Sequence, residues 1–187
     1  MFARAHALAP DWAYPLYDVA FTYLLMGDEG RAEEYYASVD RLEPRGFFTS
    51  KTFIDSLRRE RLGHLPAHFS KAFFLLEHAP RAQKRGMFQK IAERFPHFPP
   101  AWKELAVALD DADGRLAAIE RGLALDPDRE TLGMLIINKA LALQQRGKRE
   151  QAVRLLSELA LDQEATVGTE MLSKLCLRQI LGMPQSQ

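Results

Sequence analysis

Cysteine is almost absent from this sequence, which contains a single one, Cys176, among 187 residues. One cysteine excludes an internal disulfide framework and any zinc site built from several cysteines. Long apolar runs are missing as well, since no stretch approaches the ~20 residues that a bilayer-spanning helix requires. The first ten residues, MFARAHALAP, contain no apolar segment of the kind found in signal peptides. We therefore take a cytoplasmic location as the default expectation.

An excess of charge of one sign is also lacking, because 25 basic residues balance 25 acidic ones. Long-range attraction to a polyanion needs surplus positive charge, so the chain as a whole is not expected to bind nucleic acid. The balance hides two zones: residues 1–40 carry 2 basic and 7 acidic groups, whereas residues 41–94 carry 12 and 5. A solvated helix face explains the central basic residues; a phosphate-binding surface is the alternative. They are Arg58, Arg59, Arg61, Arg81, Lys84, Arg85 and Lys90.

Residues 11–44 have the pattern of two helices joined by a turn and closed by a proline. Pro10 and Pro44 are 34 residues apart, and apolar residues between them follow a helical period. Gly27 lies where the chain must reverse, and Asp28 is placed to cap the second helix. The segment therefore predicts a helix–turn–helix unit.

The same spacing recurs near the other end of the chain. Five positions in each segment are separated by 4, 5, 4 and 8 residues. They are Tyr23, Gly27, Ala32, Tyr36 and Pro44 in the first segment, and Leu143, Gly147, Ala152, Leu156 and Glu164 in the second. The glycine permits a tight turn, the alanine lets the second helix approach the first, and the large residue fills the space beside it.

These residues resemble the tetratricopeptide-repeat (TPR) family, whose 34-residue helix–turn–helix unit has a small-residue, aromatic and proline signature. Trp102, Leu105 and Ala106 are similar to the opening of that signature, and Pro127 closes a shorter unit. The resemblance implies an all-α fold, a right-handed superhelical array of antiparallel helix pairs with about 10–11 helices. It also suggests that the chain starts in mid-array.

We predict a single TPR-like domain over 1–187. Its parts are a partial repeat or cap at 1–10, a repeat at 11–44, degenerate repeats at 45–99, a short repeat at 100–130, a repeat at 131–164, and a capping helix and tail at 165–187. Helices are predicted at about 2–9, 11–26, 29–42, 50–62, 67–78, 82–95, 100–109, 114–125, 130–146, 148–161 and 168–181. The segment 82–95 either lies between units or pairs with the helix before it.

Two motifs suggest metal binding, and each has a simpler structural explanation. His64 and His68 have the spacing of two ligands on one helix face, but Pro66 between them favours a turn, and His78 is the nearest third candidate. The second motif resembles an EF-hand loop through Asp111, Asp113, Gly114 and Glu120, but Leu109 at its first position offers no side-chain oxygen. An acidic turn and helix cap explain it.

Catalytic signatures are missing, since the sequence contains no HExxH, P-loop, GxGxxG or ordered Ser/His/Asp set. Cys176 lies in a largely apolar helix and is predicted to be a buried structural cysteine. We therefore expect a non-catalytic protein with no metal, no cofactor and no small-molecule substrate.

The resemblance further implies that the first helix of each unit lines a concave groove where a partner docks. The corresponding residues are Tyr14, Tyr17, Phe21, Leu24, Phe53, Leu57, Arg61, Phe69, Phe73, Lys103, Val107, Ile137, Asn138, Leu141 and Gln145. Tyr17 and Phe21 occupy the places where some members clamp a terminal carboxylate with Lys and Asn, so that mode of binding is not expected. An apolar groove would suit an amphipathic helix or an extended apolar segment. Packing in the core or against a second copy is the alternative for each residue.

The resulting expectation is a scaffold that binds another protein or peptide, without membrane contact. Two alternatives stay open at this point. The chain could be the repeat portion of a larger enzyme, as the start in mid-array suggests, or a self-associating helical-repeat protein.

Overall fold

A computed structural model of the chain describes residues 11–77 and 79–183, and within these residues it contains ten helices and no strand. The predicted all-α class is therefore confirmed. The predicted helix at 2–9, His78 and the last four residues of the tail lie outside the described residues. The helices are α1 (Ala13–Met26), α2 (Glu29–Leu42), α3 (Ser50–Arg61), α4 (Phe69–Glu77), α5 (Arg81–Arg94), α6 (Pro99–Ala108), α7 (Ala112–Leu123), α8 (Arg129–Gln145), α9 (Arg149–Leu161) and α10 (Val167–Leu181).

Three helices, α1, α4 and α7, begin two residues away from their predicted starts, and for α4 and α7 the reason is local. Helix α4, predicted from 67, begins at Phe69 because His68 has a left-handed backbone with φ +62°, which a right-handed helix cannot include. Helix α7, predicted from 114, begins at Ala112 because the carboxylate of Asp111 accepts the N–H of Gly114 at 2.5 Å and caps the first turn.

The spacing shared by residues 23–44 and 143–164 has the same local geometry in both segments. Gly27 and Gly147 are both left-handed, with φ +81° and +75°. In both turns the residue after the glycine donates its N–H to the carbonyl five residues earlier, at 2.9 Å. The small residue of the second helix and the large residue that follows it are 0% exposed in both segments; they are Ala32 and Tyr36, and Ala152 and Leu156. Asp28 also caps α2 as predicted, accepting the N–H of Arg31 at 3.2 Å.

The chain divides into two compact units, Met1–His78 (unit 1) and Ala79–Gln187 (unit 2). In the described part of unit 1, each helix packs against the next one in sequence, and α1 also contacts α4. The larger apolar cluster of this unit brings together side chains from α1, α2 and α3. Its buried members are Ala20, Leu24, Ala32, Tyr36, Phe53 and Leu57.

In unit 2, consecutive helices from α5 to α10 pack against each other, and α8 also contacts both α6 and α10. The segment predicted at 82–95 thus packs, as α5, against the helix that follows it. The apolar cluster of α8, α9 and α10 includes Cys176, which is buried as predicted, and burial raises the pKa of its thiol. Among the helices of the described ranges, none combines the length and the apolar character needed to cross a membrane.

Candidate binding surface

The groove residues predicted in unit 1 fall into three classes of exposure. Tyr14 and Arg61 are exposed, and Tyr17 and Phe21 are half-buried. The other five are buried, so their side chains offer almost no surface to a partner. They pack in the core, which was the alternative to groove binding. They are Leu24, Phe53, Leu57, Phe69 and Phe73.

Ring contacts bring several of these residues together in one aromatic chain. The ring of Tyr36 lies 5.7 Å from that of Tyr17 and is stacked on Phe53 at 5.2 Å. Phe74 then contacts Phe53 at 5.7 Å and Phe21 at 4.7 Å. Edge-to-face and stacked arrangements of this kind add to the free energy of burial. Part of the surface of Tyr17 and Phe21 is thus used in packing α1 against the other helices of unit 1.

In unit 2 the predicted groove residues are mostly engaged within the unit. Ile137 and Asn138 are buried, and the Asn138 amide donates to the carbonyl of Met134 at 2.8 Å. Leu141 is half-buried and packs against the cluster of α8, α9 and α10. The ammonium of Lys103 lies 2.8 Å from the carboxylate of its neighbour Glu104. The remaining two, Val107 and Gln145, are exposed.

Three of the central basic residues form ion pairs within unit 1. The guanidinium groups of Arg58 and Arg59 lie 2.8 Å and 2.6 Å from the carboxylate of Asp55. Arg61 is paired with Glu33 at 2.9 Å. The positive charge of this helix is therefore largely balanced by its own neighbours, which weakens its attraction for phosphates.

Three aromatic side chains at the start of α1 and in the loop before α3 form an exposed patch, which we call the aromatic patch: Trp12, Tyr14 and Phe48. They are 54%, 42% and 62% exposed. Trp12 is stacked on Tyr14 with ring centroids 5.8 Å apart, and Tyr14 meets Phe48 edge to face at 6.0 Å. Exposed aromatic residues in mutual contact are typical of the centres of protein interfaces, where Trp and Tyr are enriched.

The backbone holds Phe48 in an unusual conformation. Its φ is +47°, in the left-handed region that costs a bulky residue about 1–2 kcal/mol. The loop around it is fixed on both sides. The Ser50 hydroxyl accepts the N–H of Phe47 at 3.1 Å, and the hydroxyls of Tyr17 and Thr49 lie 2.6 Å apart. Phe48 thus combines a strained backbone with a ring that is 62% exposed.

The rings beneath the patch support it from the core side. Phe47 lies 4.5 Å from Phe48 and 6.3 Å from Tyr14, and Tyr17 lies 5.3 Å from Phe48. The patch is thus the outer layer of a larger aromatic cluster, which fixes its rings in position. Prior ordering lowers the entropy that these side chains would lose on binding.

Sequence reasoning found Tyr14 of this patch but missed Trp12 and Phe48. The predicted helix 11–26 includes Trp12, but the groove positions that the TPR resemblance implies begin at Tyr14. Phe48 lies in the loop after α2, where that resemblance implies no groove position. The usable signal was composition: two consecutive phenylalanines follow Gly46 in a short loop, where apolar residues are uncommon.

A second polar arrangement lies elsewhere in unit 1, where Glu29 of α2 and Glu60 of α3 meet. Their carboxyl groups are close enough to influence each other's charge. Glu60 also accepts the N–H of Ser70 at 2.6 Å and the Ser70 hydroxyl, and so caps the first turn of α4. The imidazole Nδ1 of His68 lies 2.7 Å from Glu29. Burial is the main cause that raises the pKa of Glu60, and the neighbouring Glu29 adds to it.

Within residues 11–77 and 79–183, no three His, Cys, Asp or Glu side chains are grouped as a metal site. The acidic segment that resembles an EF-hand serves local structure: Asp111 caps α7, and Asp113 pairs with Arg146 at 2.9 Å. His64 and His68 both lie in the turn between α3 and α4. The proposed third ligand, His78, is outside the described residues.

In comparisons with known proteins, no family model matches this chain, and no curated protein matches it significantly.

Proposed function

We propose that this protein is a non-catalytic, TPR-like scaffold that binds a segment of another protein through the aromatic patch of unit 1. The observation that carries the proposal is the exposure of Trp12, Tyr14 and Phe48 together, ordered by ring contacts and by a strained loop.

The TPR-like arrangement is supported by the repeated register. Gly27 and Gly147 turn the chain in the same way, and the positions that follow them bury the same combination of a small and a large residue. The contacts of α8 with α6 and α10, in addition to its sequence neighbours, are those expected when helix pairs are stacked.

The chemistry of the patch favours an apolar partner segment. The nearest ring neighbours are Phe47 and Tyr17, so the surface under the patch is aromatic. A partner residue such as Leu, Phe or Met would bury area against these rings at ~25 cal/mol per Å². Partner recognition would therefore depend on apolar anchors of an amphipathic helix or an extended segment.

The test is selection of peptides from a displayed library on the full chain. The disabled variant carries Trp12→Ser, Tyr14→Ser and Phe48→Gly, because glycine accepts the left-handed φ of residue 48. The matched control is Met26→Ser, which removes an exposed apolar side chain of unit 1 outside the patch. We expect enriched peptides rich in apolar residues that bind the wild type and the control but lose at least about tenfold in affinity for the variant.

Circular dichroism and thermal melting establish that the variant is folded before its affinities are compared. Equal binding to the folded variant, or no enrichment on the wild type, would refute the proposal.

A further inference from the structure

Helix α10 carries mainly apolar or small side chains on two opposite faces. One face carries Thr169, Ser173, Cys176 and Ile180, all of them buried against the rest of unit 2. The opposite face carries a stripe at four-residue spacing that is exposed to solvent. Its members are Val167, Met171 and Leu175, with 42%, 66% and 55% of their surface exposed. A helix that is apolar on both faces is typical of one that is covered on both sides.

Further apolar residues extend this stripe at both ends. Leu161, just before the turn into α10, is 82% exposed, and Leu181 and Met183 at the other end are 46% and 56% exposed. Together with the stripe, these residues expose roughly 500 Å² of apolar surface. This area is at the upper end of the size of the largest apolar patch on a typical monomer. A stable interface buries about 800 Å² per partner, of which ~60% is apolar, so the stripe has the area that a dimer needs.

We propose that this stripe binds the same stripe of a second copy of the chain, with the two α10 helices antiparallel about a two-fold axis at Met171. In such a pair each residue faces the one at equal distance on the other side of the axis. Val167 then faces Leu175 of the second copy, and Met171 faces its own counterpart. The equal four-residue spacing makes the stripe complementary to itself.

Charges at the ends of the helix favour the antiparallel direction. Glu164 lies just before the N-terminus of α10; its side chain is 72% exposed, and its carboxylate lies 3.8 Å from the guanidinium of Arg129. Arg178 lies in the last turn. An antiparallel pair brings each Glu164 to an Arg178 and opposes the two helix dipoles, whereas a parallel pair would place like charges together at both ends.

The charges nearer the axis do not oppose this arrangement. Lys174 is bound to Glu170 of its own helix and would face Gly168 of the second copy, which has no side chain. The N-terminal end of one α10, near Leu161, meets the C-terminal end of the other. There Leu181 borders an open groove of about 360 Å³, which is also lined by Arg149, Glu150, Val153 and Arg154 of α9.

The first test is the oligomeric state of the full chain by sedimentation equilibrium, from micromolar to hundreds of micromolar. We expect a monomer–dimer equilibrium whose dissociation constant rises by about 100-fold or more in Met171→Asp with Leu175→Asp, because each change occurs twice in the dimer. Val107→Asp is the matched control, an exposed apolar residue of α6 in the same unit. It should leave the equilibrium unchanged.

The second test is disulfide trapping in a Cys176→Ala background, which separates the antiparallel arrangement from the parallel one. We expect that Met171→Cys cross-links with itself, and that Val167→Cys cross-links with Leu175→Cys when the two variants are mixed. Neither of the latter two should cross-link alone. A wild type that stays monomeric at every concentration would overturn the proposal and leave the stripe to a different protein. A dimer that persists in the Asp variants, or self-cross-linking of Val167→Cys, would overturn it as well.

Discussion

Gly133 of α8 lies so close to Thr169 of α10 that a Cβ added to the glycine would be 2.6 Å from the Cβ of the threonine. Thr169 is 2% exposed. Its hydroxyl oxygen lies 2.9 Å from that of Thr166, and the hydroxyl donates a hydrogen bond to the Thr166 carbonyl at 3.1 Å. The contact atom is a Cβ and not the end of a flexible side chain, so it cannot move without the backbone. The absence of a side chain at 133 is therefore what lets the two helices approach.

Substitution Gly133→Ala should lower the free energy of unfolding by about 1–3 kcal/mol, because the overpacking outweighs the better helix propensity of alanine. Gly86→Ala on α5 is the matched control, since no atom lies within 4 Å of its added Cβ. That change should raise stability by about 0.5–1 kcal/mol. Urea unfolding followed by circular dichroism measures both. A Gly133→Ala variant as stable as the Gly86→Ala one would contradict the close approach.

Tyr36 places a hydroxyl in the core of unit 1 with no hydrogen-bond partner among the described residues. The residue is 0% exposed, and burial raises the pKa of its phenol. Tyr36→Phe keeps the stacking on Phe53 and removes the unpaired polar group, so stability should be unchanged or higher by about 1 kcal/mol. Tyr36→Ala should cost about 3–5 kcal/mol because it leaves a cavity. A clear loss in Tyr36→Phe, measured by the same unfolding, would mean that the hydroxyl is satisfied in solution.

The left-handed backbone of Phe48 makes a separate prediction about stability. Phe48→Gly and Phe48→Ala both remove the ring, but only alanine keeps a Cβ in the strained conformation. The glycine variant should therefore be more stable than the alanine variant by about 1 kcal/mol. Thermal melting of the two variants measures their difference in stability. Both variants lose the same ring contacts, so that loss does not contribute to the difference. Equal melting temperatures would mean that residue 48 leaves the left-handed region when the ring is absent.

Much of the fold was predictable because its determinants are local. The turn at Gly27, the cap at Asp28 and the buried positions Ala32 and Tyr36 all follow from residues within one helix–turn–helix segment. Local signals of this kind specify a helix and its ends. Local signals do not specify which helix another helix packs against. Nothing within the sequence of α5 indicates that it packs against the helix that follows it.

The candidate surface was harder to predict, because helical spacing identifies a face but not what covers that face. The TPR resemblance implied that Leu24, Phe53 and Leu57 line a groove, and the structure buries all three. Phe48 is exposed in a loop whose next residue, Thr49, contacts Tyr17, 32 residues away in the sequence. Interactions between residues so far apart leave no periodic pattern in a sequence.

The carboxyl pair of Glu29 and Glu60 predicts a dependence of stability on pH. The pKa of Glu60 is raised above its ordinary value of 4.5, chiefly by burial and further by Glu29. A raised pKa means that the folded state binds this proton more tightly than the unfolded state does. The resulting stabilisation is complete below about pH 4.5 and is lost as pH rises through the pKa of the folded state.

Glu60→Gln removes this titration while keeping an oxygen that accepts the N–H of Ser70. Its stability relative to the wild type should therefore improve as pH rises above about 4.5, because the wild type ionises at a cost, and should level off once Glu60 is ionised in the folded state as well. Glu34→Gln is the control, because it removes an exposed carboxyl of the same unit away from the pair. Urea unfolding at several pH values gives the two differences. The nearby ion pair of Arg61 and Glu33 is unchanged in both variants. A difference that stays flat with pH would mean that the pKa of Glu60 is not raised in the folded state.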